Sequence, residues 1–594
     1  MVNNYNSFFN RKLASLLKYL RTHSVFSGLI LSVIVGVGGG LSAIVFRWLI
    51  NSFGQLFSEG LGNVLGFMGE YYIILVPAIG GLVVGCLIYF TRTGETKGHG
   101  VPEVMEAVWM RNGRIRARVA AIKALASSIC IGSGGSAGRE GPIVQIGSSI
   151  GSSMGQLFRL PDDLVKTLVA CGAAAGISAT FNAPIGGMFF ALEVIMGRIV
   201  SPRLGFVVIS SVVADLVAHA FLGDFPTFIL PIEYGLNSFA EVPLYILLGL
   251  LCALIATLFI RCLYKIEDIF EALKVPEYVK PAIGGIVIGL LGFYNPYLFG
   301  VGYIGVQEVL LGSIMLPSLA VLLFLKILAT SVTLGSGGSG GIFAPCLFMG
   351  AMLGGLFGEV SYLLLPGIVA PSGAYAIAGM AGVFAGAARA PITSFLILFE
   401  MTGTYSMILP LLLVVIPSTL LGHKLSRLNI YTIKLARRGI NVLPVEEAEF
   451  LIGITVSDVM TRNYPTVSTE MKIPELINKI NKTGHHGLPV IDRDGRLYGM
   501  VTLSDIESRI TSDAKHLTAA DIATTKLITA YPDQSLSELI DHLRMGTGEI
   551  PRIPVVSRKD PTKLVGMLRR QDIIKGYAKT LATIHGTDDE DIGY

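Results

Sequence analysis

Two short glycine-rich breaks inside apolar sequence constrain this chain more than any other feature. Gly132 to Pro142 reads GSGGSAGREGP and Gly335 to Pro345 reads GSGGSGGIFAP, with seven of eleven positions identical. A bilayer core holds no water to pair free backbone N–H and C=O groups, so a break at membrane depth has to line a polar cavity. A helix restarting after the break aims its unpaired N–H groups and the positive end of its dipole into that cavity. The fitting occupant is an anion. The match extends on both sides of the breaks. Lys123, Ala126 and Ser128 fall opposite Lys326, Ala329 and Ser331, and NAPIGGMFFALE (Asn182 to Glu193) is echoed by RAPITSFLILFE (Arg389 to Glu400). Interrupted segments in corresponding halves point to a midplane site between repeats.

Of the 594 residues, 52% are hydrophobic and 15% charged, which predicts a polytopic α-helical membrane protein with room for more than one domain. The apolar character runs to about residue 430 and then gives way to an ordinary charged, soluble composition. A net charge of +4 over this length says little about partners, and no nucleic-acid motif is present. Cys86, Cys130, Cys171, Cys252, Cys262 and Cys346 sit singly in or beside apolar runs, which predicts packed free thiols, not a disulfide framework or a metal site.

Residues 1 to 23 carry Arg11, Lys12, Lys18 and Arg21 and no acid. The apolar run from Phe26 to Ile50 is too long for the core of a secretory signal and reads as a retained helix with a cytoplasmic N-terminus. Further runs lie near 71–90, 117–131, 164–178, 187–222, 242–263, 281–293, 318–334, 343–365, 374–386 and 392–421. Several fall short of the ~20 residues of a perpendicular span, which predicts short, broken and tilted helices around a buried site. HKLSRLNIYTIKLARRGI follows the last run, with Lys424, Arg427, Lys434, Arg437 and Arg438 and no acid, and puts the C-terminal region on the same cytoplasmic side. Both termini inside means an even number of crossings, and halves with odd counts are inverted relative to each other. From about Thr455 two tandem α/β copies follow, each closing in a hairpin and then a helix opening at Ser504-Asp505 or Gln571-Asp572. Asp588 to Asp591 mark an acidic end predicted to be disordered.

GREGP (Gly138 to Pro142), GIFAP (Gly341 to Pro345), GHGVPE (Gly98 to Glu103) and Tyr431 after the last apolar run resemble the CLC family of chloride channels and chloride/proton exchangers. The tandem C-terminal copies look like a pair of cystathionine-β-synthase (CBS) domains. The resemblance implies a CLC-like inverted repeat followed by a cytosolic α/β CBS pair. Its divisions are a cytoplasmic segment 1–25, a transmembrane domain 26–432 with halves of about 26–222 and 242–432, a linker 433–454, CBS domains 455–512 and 518–578, and an acidic tail 579–594. It implies a homodimer in the cell membrane with an anion path in each subunit, a transport protein and not an enzyme, and no required cofactor. By the same resemblance, Gly141, the N–H groups of Ile342 and Phe343 and the Tyr431 hydroxyl coordinate the anion, and Glu140 is the gate. Partial charges suit a permeating ion, because a fixed Lys or Arg would hold chloride too tightly. Arg139 then reads as a charge near the path. Thr502 and Asp505 match the nucleotide-contacting signature of the CBS domains, and Asp572 is retained beside Arg569 in the second copy. Thr466, His485 and His486 are further candidates for contact with ATP, ADP or AMP. The alternative is a structural pair that braces the dimer.

Two departures from the family pattern stand out. His99 replaces the usual Ser of GSGIP, so either its ring donates to the anion, or it turns away and leaves the Gly100 and Val101 backbone facing the site. Val194 stands where exchangers carry an internal proton-relaying glutamate, next to Glu193. Valine cannot relay protons, so the expectation is a voltage- or proton-gated passive chloride channel, with a coupled antiporter as the alternative. Glu193 remains a proton-path candidate as an intramembrane carboxylate, although its repeat partner Glu400 suggests a shared role at a helix end. Lys123 and Lys326 are expected to satisfy carbonyls or snorkel.

Overall fold

The structure, a computed structural model, describes residues 24–197, 203–224, 227–228, 230, 234–440, 454–483, 487–502, 505–506, 517–525, 527–536, 539, 552–569 and 572. The chain divides into two compact units, Met1–Asn441 and Val442–Tyr594.

The first unit is helical. In its first half run α1 (Ser24–Gln55), α2 (Tyr72–Thr91), α3 (Val101–Met110), α4 (Arg118–Gly132), α5 (Glu140–Leu157), α6 (Asp162–Phe181), α7 (Pro184–Met196) and α8 (Leu204–Leu222). The second half repeats the order with α9 (Val242–Ala272), α10 (Lys280–Tyr294), α11 (Tyr303–Leu310), α12 (Leu316–Gly335), α13 (Phe343–Leu364), α14 (Ser372–Ala388), α15 (Pro391–Thr402) and α16 (Ile408–Leu425). A short α17 (Thr432–Arg437) closes the unit. Among the described residues, eight helical stretches are long and apolar enough to cross a membrane, and α7, α10, α14 and α15 are shorter apolar helices. Phe26, Trp48, Phe90, Leu216, Phe221, Phe324, Leu363 and Leu420 are exposed on the outside, an arrangement that suits lipid and not water.

Two long apolar runs divide where the sequence suggested one. The run 187–222 separates into α7 and α8, with Gly197 in the left-handed region at φ 64° just after α7. The run 392–421 separates into α15 and α16 at Gly403, φ 62°. The half-helices begin in matched fashion. Asn182 (φ 57°) ends α6 and Arg389 (φ 53°) ends α14, each turning the chain into an Ala-Pro that opens the next helix.

The halves also meet face to face. PAIGGLVVG in α2 (Pro77 to Gly85) and PAIGGIVIG in α10 (Pro281 to Gly289) are near copies. A side chain at Gly81 would overlap the Pro281 carbonyl, and one at Gly285 would overlap the Pro77 carbonyl. Reciprocal contact of this kind is what a two-fold relation between the halves produces. Only glycine allows backbones this close, and the dispersion gained over such a contact replaces the hydrophobic drive that lipid does not supply.

In the second unit, β1 (Val467–Ser468) pairs parallel with β2 (Gly487–Ile491), which pairs antiparallel with β3 (Leu497–Thr502), while β4 (Ile553–Val556) and β5 (Leu564–Leu568) form a separate hairpin. The opening turn of each copy packs into the core of the other. Val456 lies with Ala530, Leu536, Ile553 and Val555, and Ala519 and Ile522 lie with Val467, Leu488 and Val501. The same capping box starts both turns, from Thr455 with Asp458 and from Thr518 with Asp521.

Candidate functional site

The two glycine-rich breaks come together. Gly138 N–H donates to the Gly341 carbonyl at 2.8 Å and Gly341 N–H donates back to Gly138, a pairing between repeat mates that marks the pseudo-two-fold axis. Around it, Ser136 N–H donates to Thr333 Oγ1 (3.0 Å) and the Ser127 and Ser339 hydroxyls share a hydrogen bond (2.9 Å). Gly98 N–H donates to Gly338 at 2.9 Å, and Gly300 N–H donates to Gly134 at 3.4 Å. The non-helical backbone is thereby paired within the protein, as membrane depth requires.

Two helix starts face this junction. Glu140 opens α5 and Phe343 opens α13, so the N–H groups of Gly141, Ile342 and Phe343 belong to the first turns or caps, which have no helical acceptor of their own. A side chain at Gly141 would run into the His99 carbonyl, so the GHG loop, α5 and Gly341 are held against one another. Glu140 is fully buried. Its carboxylate accepts from the Tyr303 hydroxyl at 3.0 Å and from Ala344 N–H, in the first turn of α13, at 3.3 Å. Arg139 lies beside it with its guanidinium 5.4 Å from the centre of the Tyr303 ring and one N–H toward the Thr180 carbonyl (3.4 Å).

On the other side of the junction, the His99 ring is buried and lies 5.8 Å from the Tyr431 ring. Neither His99 ring nitrogen has a hydrogen-bond partner among the described residues. A buried imidazole left unpaired is costly, so the space beside it suits a polar occupant. Gly100, at φ 78°, turns the chain so that Val101 starts α3; its repeat mate Gly302, at φ 85°, does the same for Tyr303 and α11. Tyr431 is fully buried and held by Asn429, whose side-chain carbonyl accepts from Tyr431 N–H (3.0 Å) and Thr432 N–H (2.8 Å). Phe343 packs between Phe181 and Phe384, with centroids at 4.9 and 4.3 Å.

The buried lysines have matched roles. Lys123 Nζ donates to the Thr96 and Gly98 carbonyls at 3.1 and 2.8 Å, and Lys326 Nζ to Leu298 and Gly300 at 3.2 and 3.3 Å. They tie down the loops that lead to His99 and Tyr303. The carboxylates at the half-helix ends are matched too. Glu193, near the end of α7, accepts from Ile392 N–H (3.3 Å), Thr393 N–H (2.8 Å) and the Thr393 hydroxyl (2.6 Å) at the start of α15. Glu400, near the end of α15, accepts from Ile185 N–H (3.0 Å) and Gly186 N–H (2.7 Å) at the start of α7. Each half-helix therefore carries the cap of the other. Val194, next to Glu193, is buried among apolar residues of the core.

A polar cavity of about 590 Å³ opens onto Gly98, next to His99, lined by Lys97, Lys280, Lys434, Arg437 and Arg438 and by Glu267, Asp268, Glu271 and Glu277. Lys97 (2.5 Å) and Lys280 (3.2 Å) hold Glu277 below the usual carboxylate range by donating to it. Arg438 binds both Glu103 and Glu106 of α3.

In the second unit, Thr466 directly precedes β1 and Thr502 ends β3. Thr502 N–H and hydroxyl donate to Asp505 at 2.8 and 2.6 Å. The equivalent Asp572 is buried and takes three hydrogen bonds from Arg569, at 2.9 Å from N–H, 3.0 Å from Nε and 2.8 Å from Nη2. His485 and His486 lie outside the described residues.

Tyr303, Ala344 and Asn429 are the site residues that sequence reasoning missed. The signal for Tyr303 was available, since GVGY (Gly300 to Tyr303) repeats GHGV (Gly98 to Val101) in glycine spacing alone.

The model of the voltage gated chloride channel family matches residues 91–423, and that of the CBS domain matches 456–512 and 519–579. A putative chloride channel protein ClcB-like from Ralstonia nicotianae is 33% identical over 416 residues, covering 68% of this chain and 95% of that protein. An H(+)/Cl(-) exchange transporter ClcA from Vibrio parahaemolyticus is 32% identical over 425 residues, covering 69% of this chain and 90% of that one. Among solved structures, a slow cyanobacterial Cl-/H+ antiporter superposes with a TM-score of 0.64 at 26% identity, over 69% of this chain and 97% of that chain. With its paired breaks and reciprocally capped half-helices, the chain is a multi-pass membrane protein that belongs to the CLC family and carries a tandem pair of CBS domains.

Proposed function

We propose that the protein exchanges chloride for protons across the cell membrane as a homodimer with one path per subunit, with its N-terminus and CBS domains in the cytoplasm. The observation that carries this reading is the Glu140 carboxylate accepting from Ala344 N–H at the start of α13. A carboxylate there takes the place an anion would occupy, and while ionised it closes the path. Protonation removes the charge that competes with the anion, so the carboxyl group swings out carrying its proton and the anion enters. One group that binds a proton whenever it yields to an anion couples the two flows. The exchange-transporter and antiporter relatives point the same way. His99, Gly100, Val101, Gly141, Ile342, Phe343 and Tyr431 line the anion side in this reading, with the unpaired His99 ring as the contact that tunes anion preference.

Passive conduction is the second reading, and Val194 favours it: an apolar side chain stands where the inner leg of a proton path needs a carrier. Under exchange that leg passes by Glu193 or by water. The Glu193 carboxylate already caps α15, which makes it a reluctant relay. For the CBS pair we propose adenine-nucleotide regulation through Thr466, Thr502 and Asp505; Asp572 contributes only if Arg569 releases it.

The test is purified protein in liposomes with an imposed chloride gradient, recording both ions. Uphill proton movement in fixed ratio to chloride is the expected result. Chloride flux without proton movement overturns exchange in favour of the channel.

A further inference from the structure

We infer that Tyr303 is a positioning residue for the gate, whose hydroxyl holds the ionised Glu140 carboxylate in the anion's place and so sets how much chloride or acid is needed to open the path. The inference rests on the reading of Glu140 as the gate.

The hydroxyl lies 3.0 Å from Glu140 Oε1, and its ring is packed between Phe228 and Arg139. Phe228 forms a T-shaped pair with that ring at 5.5 Å and 74°, and the Arg139 guanidinium lies over it, 5.4 Å from its centre. The loop before α11 is pinned by Lys326 at Leu298 and Gly300. Tyr303 is thus a donor set in position before the carboxylate arrives, so little ordering entropy opposes the bond. The titratable and charged groups around the carboxylate are Arg139 on its own loop, Tyr303 on α11, Cys346 on α13 and Tyr431 before α17. Of the donors to the carboxylate, the backbone N–H groups of Glu140 and Ala344 belong to the two helix starts and serve an anion equally well. The Tyr303 hydroxyl is the one that side-chain chemistry adds. Its repeat mate is Val101, which has no polar side-chain atom, so the other side of the junction has no such latch.

A phenol donates far better to an ionised carboxylate than to a protonated one. The latch therefore stabilises the closed, ionised gate selectively, and losing it favours both proton uptake and chloride entry. Hydrogen bonds to charged groups are strong enough that one of them shifts such a balance about tenfold.

The experiment compares chloride efflux from liposomes for the full-length wild type, Tyr303→Phe, Glu140→Ala and the double variant, across pH and chloride concentration. For Tyr303→Phe the chloride needed for half-maximal flux falls about tenfold, and the flux-against-pH curve moves to higher pH by about one unit. In the Glu140→Ala background the same change adds nothing. Replacing Tyr303 by 3-fluorotyrosine, a stronger donor, moves both readouts the opposite way and gives an independent check if the Phe variant does not fold. If Glu140→Ala alters both readouts while neither Tyr303 variant does, the latch is wrong and the gate stands. If Glu140→Ala leaves the pH dependence untouched, both fall.

Discussion

The first half of the membrane unit ends its glycine-rich break in Arg139-Glu140-Gly141, and the second ends its own in Ile342-Phe343-Ala344. The frames around these triplets do the same work. Each half has a buried lysine that pins a glycine turn, a helix restarting at the junction, and a half-helix capped by a carboxylate of the other half. What differs is a few side chains. Glu140 corresponds to Phe343, Tyr303 to Val101 and His99 to Val301 in the alignment of the two halves. A symmetric frame builds the junction from backbone, and the asymmetric side chains give it a side with a buried carboxylate and a side with an unpaired imidazole. Direction is written on a scaffold that by itself has none.

The comparison can be broken most forcefully at the glycines. Gly81→Ala and Gly285→Ala each drive a methyl into a carbonyl of the other half, and each is expected to cost about 1–3 kcal/mol or more, seen as lost monodisperse protein or a lower Tm. A large effect at one and none at the other would show that the halves do not meet as described.

The lysines sharpen it. Lys326→Met removes the donor to the Leu298 and Gly300 carbonyls, worth about 1–3 kcal/mol per unsatisfied group. Lys123→Met leaves the Thr96 carbonyl with the Ser339 hydroxyl (2.7 Å) and the Gly98 carbonyl with Gly340 N–H (3.3 Å), so the larger loss of thermal stability is expected for Lys326→Met. Their functional signatures should part: Lys123→Met disturbs the loop to His99 and shifts anion preference, whereas Lys326→Met disturbs the loop to Tyr303 and shifts the pH dependence. Identical signatures would remove the functional asymmetry.

The smallest effect is at the half-helix caps. Glu193→Gln and Glu400→Gln each weaken a cap by about 1 kcal/mol, and similar small drops in Tm are expected from both, with coupling unchanged. If Glu193→Gln alone uncouples protons from chloride while Glu400→Gln does not, Glu193 is a relay and not only a cap.

The frame was legible in the sequence because membrane depth punishes unpaired backbone. Only a few residue types can end and restart a helix there, and they recur at matched positions: GSGGS, the Ala-Pro starts and the lysines. The repeat in α2 and α10 was as plain, in PAIGG written twice, yet it lies inside continuous apolar runs where glycine reads as filler. The latch was harder to find. Tyr303 shares only glycine spacing with its mate, and its contact with Glu140 spans from α11 to α5, so no local pattern links them. The divided runs at Gly197 and Gly403 carried signals of their own, Arg198, Pro202 and Arg203 after the first and Thr402-Gly403-Thr404 at the second, which a count of apolar residues over a long run passes over. In the CBS pair, retention of Asp572 suggested a second contact to nucleotide, but the Arg569 three residues earlier occupies it.

The central claim is that the Glu140 carboxylate stands in for the anion at the start of α13. The direct measurement is a crystal structure of Glu140→Ala grown in bromide, read by anomalous scattering. The account predicts a bromide peak within hydrogen-bonding distance of Ala344 N–H, at the position the carboxylate vacates, and no peak there in the wild type at neutral pH. Bromide bound beside His99 and Tyr431 but absent from the α13 start in the Ala variant would contradict it.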